Sequence, residues 1–128
     1  MVLVVTGKSS NLPKRSHFPR HNAKKVILGH FSEMHFEKFK SVLCDQSYDV
    51  LHGRNLHEIR AHVLIHRDSV VVLGIEPDCE SAFLCCAKLT AWRDELPVIL
   101  TGPDEPRLAR FARFCGASAY FPVDTNEE

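Results

Sequence analysis

"VVVLGIEPD", Val70–Asp78, decides the fold. Val70, Val71, Val72 and Leu73 form a β-branched, apolar run with no polar alternation, which is what a strand covered on both faces requires. Gly74 ends the run, and Pro77 and Asp78 carry the chain into a loop. A strand of this kind belongs in the middle of a parallel sheet. Parallel strands need crossover connections, so the rest of the chain is expected to alternate strands with amphipathic helices.

It does so in both directions from that centre. Upstream, "KKVILGH" (Lys24–His30) reads as a strand, and Ser32 can cap a helix running to about Cys44 with Phe36, Phe39, Val42 and Leu43 on one face. "YDVLHG" (Tyr48–Gly53) is a second strand. Asn55 can cap "LHEIRAHVLIHR", whose Leu56, Ile59, Val63 and Leu64 share one side. Downstream, residues from Cys79 to Arg93 read as a helix, and "LPVILTG" as a strand entered through Pro97. "EPRLARFARFC" predicts a helix with Leu108, Phe111 and Phe114 inward, stopped by Gly116 just past its end. "ASAYFPV" is the fifth strand. Asp124 or Thr125 then offers an N-cap and "TNEE" starts a capping box. A fifth helix therefore has a start signal and no body, and the residues it would cover on the first helix, Phe36, Phe39 and Leu43, are expected to lie open.

Five strands in strict alternation predict an α/β, flavodoxin-like three-layer sandwich. Its parallel five-stranded sheet has the order 2-1-3-4-5 and a truncated fifth helix.

Length and charge agree with one domain. A chain of 128 residues can bury about two-thirds of its unfolded surface in a single core. Sixteen basic and sixteen acidic residues balance to a formal charge of zero, so no chain-wide field draws it to nucleic acid or to an anionic membrane. The basic residues are unevenly placed, however. Residues 1–23 read as a flexible basic arm: Lys8, Lys14, Arg15 and Arg20 stand among Pro13 and Pro19 with no carboxylate and no periodicity, and Lys24 and Lys25 follow. The arm suits electrostatic contact with nucleic acid or an acidic partner, or is simply an unstructured leader, which is the favoured reading. "MVLVVTG" is too short for a signal peptide and no run approaches a membrane span, which points to a cytoplasmic protein. Cys44, Cys79, Cys85, Cys86 and Cys115 have no zinc spacing and read as small buried hydrophobes in a reducing compartment.

In a sheet of this order any site lies beyond the carboxyl ends of the strands, beside the first. Gly29, His30, Gly74, Thr101, Gly102 and the residues after Tyr120 occupy those ends, and none is a carboxylate. "HEIRAH" imitates a zinc helix but sets His57 and His62 five apart, about 140° around the axis, so no metal is expected there. Trp92 and Phe83 read as core or partner-facing anchors, with core favoured. Lys88, Arg93, Arg107, Arg110 and Arg113 read as solvated faces of helices.

From about Lys24 onward the sequence resembles the receiver domains of two-component signalling. "VILGHFSEM" stands where receivers carry a strand followed by two acidic residues, and "PVILTGPDEPRLARFARFCGASAYF" follows their fourth strand, helix and fifth strand. The resemblance puts the acidic pair at Gly29 and His30, the phosphoacceptor at Gly74, the switch hydroxyl at Thr101 and the family lysine at Pro122 or Val123. Only the hydroxyl remains. Receiver phosphorylation needs an aspartate nucleophile, carboxylates to hold Mg²⁺ and a lysine for the phosphoryl group, so residues 24–128 are expected to form a phosphorylation-incompetent regulatory domain with no cofactor and no enzymatic activity.

"VVVLGIEPDCESAFLCCAKLTAWRDELPVILTG" is similar to the N-terminal domain of FleQ-type activators of sigma-54 RNA polymerase, through Leu73, Gly74, Leu89, Trp92, Leu96 and Pro97. That resemblance implies a role in flagellar gene regulation as a homodimer or in contact with other domains of an activator, without direct DNA binding by this domain. The association face it suggests contains Arg107, Arg110, Phe114 and Tyr120. The alternative is a stand-alone domain binding a small ligand or anion on the backbone at Gly29, Gly74 and Gly102.

Overall fold

The computed structural model describes residues 24–76 and 78–123. The expected basic arm at residues 1–23 and the capping box from Asp124 lie outside the described residues. Nine elements follow in order: β1 (Lys25–Gly29), α1 (Glu33–Asp45), β2 (Asp49–Gly53), α2 (Leu56–Ile65), β3 (Val70–Gly74), α3 (Cys79–Trp92), β4 (Val98–Gly102), α4 (Pro106–Phe114) and β5 (Ala119–Pro122). The strands form one parallel sheet of order β2-β1-β3-β4-β5, as the alternation predicts.

Local signals set the element ends. The Ser32 side chain accepts the His35 amide, Asn55 that of Glu58 and Asp78 that of Ser81, each satisfying an amide in a first helical turn. Gly116 closes α4 with φ of +98°. The Gly116 amide donates to Arg113 O and the Ala117 amide to Ala112 O, which is the paired bonding of a Schellman ending. A Cβ on Gly116 would also come within 2.5 Å of Thr90 Oγ1.

Alternation along the strands divides the sheet into two unlike faces. One face carries Ile27, Val71, Leu73, Val98 and Leu100, which join Ile59 and Val63 of α2, Phe83 and Leu89 of α3 and Ala112 of α4 in a single buried cluster. The other carries Val26, Leu28, Val72, Ile99 and Phe121. Among the described residues only α1 packs there, and it has no buried residue.

The structure corrects several sequence expectations. In α4 the inward stripe is Leu108 and Ala112, while Phe111 is 47% and Phe114 83% exposed. Apolar residues at 108, 111, 112 and 114 offer two stripes, and the small Ala112 lets the helix approach the sheet more closely than a phenylalanine would. Leu64 is exposed, unlike its neighbours Ile59 and Val63 in α2. Cys85 and Cys86 are buried and Cys115 is half-buried, whereas Cys44 and Cys79 are exposed. Phe36, Phe39 and Leu43 are half-buried and Val42 is exposed.

Candidate functional site

The site is the end of the sheet where β1, β3 and β4 finish. Gly29 closes β1 opposite Leu73, and His30 then turns the chain through φ of +60°, a left-handed conformation that histidine tolerates better than most side chains. That reversal returns Phe31 across the ends of the strands before Ser32 opens α1. The Phe31 ring packs on Phe39 of α1, with centroids 4.8 Å apart. It also lies so close to Gly74 that a Cβ there would meet Phe31 Cδ1 and Cε1 at 2.6 Å. The place of a side chain at position 74 is filled by this ring.

What remains is a small cleft of about 30 Å³, room for little more than one water. Phe31, His35 and Phe39 form one wall, and Gly74, Thr101, Gly102 and Val123 the floor and far side. Glu76 also lines it, a carboxylate absent from the sequence-derived set because it stands two residues past the strand end. Of the two candidates for the family lysine position, Val123 borders the cleft and its amide donates to Gly102 O at 2.7 Å. Pro122 is exposed. Thr101 is buried at 6% exposure, beside Gly74 in the parallel register.

Gly29 is not turned toward the cleft. A Cβ there would meet Ile59 Cδ1 at 2.9 Å and Leu73 Cδ2 at 3.0 Å, on the core side of the sheet. His30 stands nearer the surface. Burial pushes its pKa down, and the Asp78 carboxylate opposes that shift. Asp78 itself is committed to the start of α3. Its carboxylate accepts the Ser81 hydroxyl at 2.7 Å and the Ser81 amide at 3.1 Å, and these bonds hold its pKa below the usual carboxylate range, with His30 adding to the effect. Among the described residues no three His, Cys, Asp or Glu side chains converge as a metal site would need. In α2, His57 is exposed while His62 Nε2 lies 3.1 Å from His52 O.

The residues of the suggested association face divide. Arg107, Arg110 and Phe114 stand exposed at helical spacing on α4. Tyr120 does not join them. It packs against the core and its hydroxyl donates to Pro103 O at 2.6 Å; burial, aided by the charges of Glu105, Glu76 and Asp104, pushes its pKa up to about 12.

No protein-family model matches the chain and no curated protein sequence does. Solved structures do. It is similar to the chemotaxis protein CheY4 of Vibrio cholerae at 16% identity, covering 80% of this chain and 87% of that one with a TM-score of 0.67. The signal receiver domain of a signal transduction histidine kinase from Syntrophus aciditrophicus matches at 22% identity, 78% of each chain and a TM-score of 0.63. The chain has the receiver fold. It also matches NtrX from Brucella abortus at 16% identity and a TM-score of 0.66, with 78% of this chain covering 23% of that one. These identities establish a shared architecture, and the chemistry of the strand ends has to be argued from the residues present. Among the described residues no helix is long and apolar enough to cross a membrane.

Proposed function

We propose that this chain is a phosphorylation-incompetent receiver-like module that regulates through protein contacts. The observation that carries the reading is the Phe31 ring packed against Gly74, because it occupies the space an acceptor side chain needs. Gly29 and His30 supply no carboxylate for Mg²⁺, and Val123 brings an aliphatic group to the cleft where a cation is required. Likeness to the FleQ-type pattern through Leu73, Gly74, Leu89, Trp92, Leu96 and Pro97 supports a place in a cytoplasmic sigma-54-dependent activator of flagellar genes. In that setting the module is not an enzyme and does not touch DNA itself; it works as a homodimer or against other domains of the activator.

Arg107, Arg110 and Phe114 are the residues of α4 placed to make such a contact. Binding of a small anion at the strand ends is disfavoured by the volume of the cleft and by its Phe31, Phe39 and Val123 walls.

Incubation with acetyl phosphate and Mg²⁺, or with beryllofluoride and Mg²⁺, tests the reading. The expected result is no mass gain and no change in the amide spectrum around Gly74. Stoichiometric modification of the strand-end residues would overturn it. Sedimentation supplies the second arm: if the protein is a dimer through α4, Arg110→Glu shifts it toward monomer.

A further inference from the structure

On the three-helix face, α2 and α3 lie side by side and leave an open groove lined by Leu56, Arg60, Lys88, Ala91 and Trp92. Trp92, the single tryptophan of the chain, forms its end wall. Two guanidinium groups flank the indole: Arg60 Cζ lies 5.4 Å and Arg93 Cζ 5.0 Å from the ring centroid. Lys88 is exposed one turn before Trp92. The charges of Arg60 and Lys88 are felt at the buried Cys85, where they oppose the effect of burial on the thiol.

Among the described residues no carboxylate is paired with this group. The ion pairs Lys25–Asp49, Arg54–Glu58 and Arg107–Glu105 involve none of Arg60, Lys88 and Arg93. Arg60 Nε is shut off from solvent and has no hydrogen-bond partner. A buried donor without an acceptor is unfavourable, and guanidinium groups laid on an aromatic face are held ready for carboxylates rather than dispersed in solvent.

We propose that the α2–α3 groove docks an acidic peptide segment of a partner protein. Carboxylates of the segment meet Arg60, Lys88 and Arg93 around the Trp92 ring, and an apolar side chain lies on Leu56 and Ala91. The occupant follows from charge and shape. Apolar Leu56 and Ala91 set beside cationic Arg60 and Lys88 match a chain that alternates carboxylates with aliphatic groups. A nucleic-acid backbone needs a broad positive field, whereas here the chain is neutral overall and the exposed Asp94 and Glu95 immediately follow Arg93. This site is separate from the strand-end cleft and does not depend on how that cleft is read.

Because Trp92 is the lone tryptophan, its emission reports the groove directly. The experiment titrates the whole chain with a short acetylated peptide alternating glutamate and leucine, with the lysine–leucine counterpart and with a DNA duplex. The expected result is a saturable change in Trp92 emission with the glutamate peptide alone, weakened by salt. Lys88→Glu, at an exposed position that leaves packing intact, should weaken binding about tenfold or more, as should Arg60→Gln, while Lys40→Glu at an exposed position on α1 leaves it unchanged. The proposal is overturned if Trp92 does not respond, if Lys88→Glu binds as the parent does, or if the duplex binds at least as tightly as the peptide.

Discussion

On one face of the sheet α2, α3 and α4 bury Leu73, Val98 and Leu100 completely, whereas on the other α1 is the one helix among the described residues and Phe121 is 38% exposed. The same strands supply both faces through alternate residues, so the difference lies in what covers them. Val26 and Leu28 of β1 are buried, Val72 and Ile99 of β3 and β4 are half-buried, and Phe121 of β5 is open. Stability therefore resides on the three-helix face. The Phe31 ring that fills the strand-end site belongs to the looser side, where its support is Phe39 of a helix with no buried residue.

The largest effect expected from this contrast is a difference between two truncations in adjacent strands. Leu100→Ala removes a fully buried side chain from the closed face and should cost about 2–5 kcal/mol in urea unfolding. Phe121→Ala, one residue beyond Tyr120, the register partner of Leu100, removes a larger side chain that is partly solvated and should cost less than about 1.5 kcal/mol. Equal losses at the two positions would break the comparison and show that the α1 face is as tightly held as the other.

A smaller effect should come from Gly74→Asp. The new Cβ would meet the Phe31 ring at 2.6 Å, so the ring must move, and overpacking of this kind costs about 1–3 kcal/mol. Adding Phe31→Ala should recover part of that loss, because the obstructing ring is gone. Neither variant should be phosphorylated by acetyl phosphate, since Gly29 and His30 still supply no metal-holding carboxylate. If Gly74→Asp is as stable as the parent, the plug is not rigid. If the single variant takes up phosphate, the assignment of Gly74 to the acceptor place is wrong.

Much of the architecture was legible because its signals are local. Ser32 and Asn55 announce their helices within three residues, Gly116 announces the end of α4, and the Val70–Leu73 run announces a central strand. The features that set the site are not local. Phe31 reads as an ordinary aromatic at a strand end until the +60° turn at His30 returns it over Gly74. Glu76 enters the cleft from outside the strand-end positions that the fold rule selects. The α4 stripe is ambiguous for a related reason: periodicity allows either Phe111 or Ala112 to face inward, and only the spacing between helix and sheet selects the smaller. Trp92 shows the same limit, since two arginines from different elements meet it and neither pairing follows from spacing along the chain.

The smallest expected effect sharpens the comparison at its junction, His30. Burial lowers the folded-state pKa of this imidazole from its ordinary value of 6.5, with Asp78 opposing. The unfolded chain therefore takes up the proton first as pH falls, and linkage requires the folded state to lose stability progressively below about pH 6.5. A histidine with a depressed pKa contributes nothing unfavourable above that value, where both states are neutral. The loss is complete only once the pH has passed below the folded-state pKa. His30→Asn keeps a residue that accepts the left-handed turn and removes the proton, so it should flatten the stability profile in this window. Asp78 and Glu58, whose pKa values are also lowered, act at lower pH: their stabilising contributions are present above the ordinary carboxylate range and disappear as pH falls through it, below about 4. Urea midpoints of the parent and of His30→Asn between about pH 7 and 5 separate the two effects. If the two profiles run parallel, the His30 imidazole is as well hydrated in the folded chain as in the unfolded one, and the turn that carries Phe31 into the cleft is open to solvent.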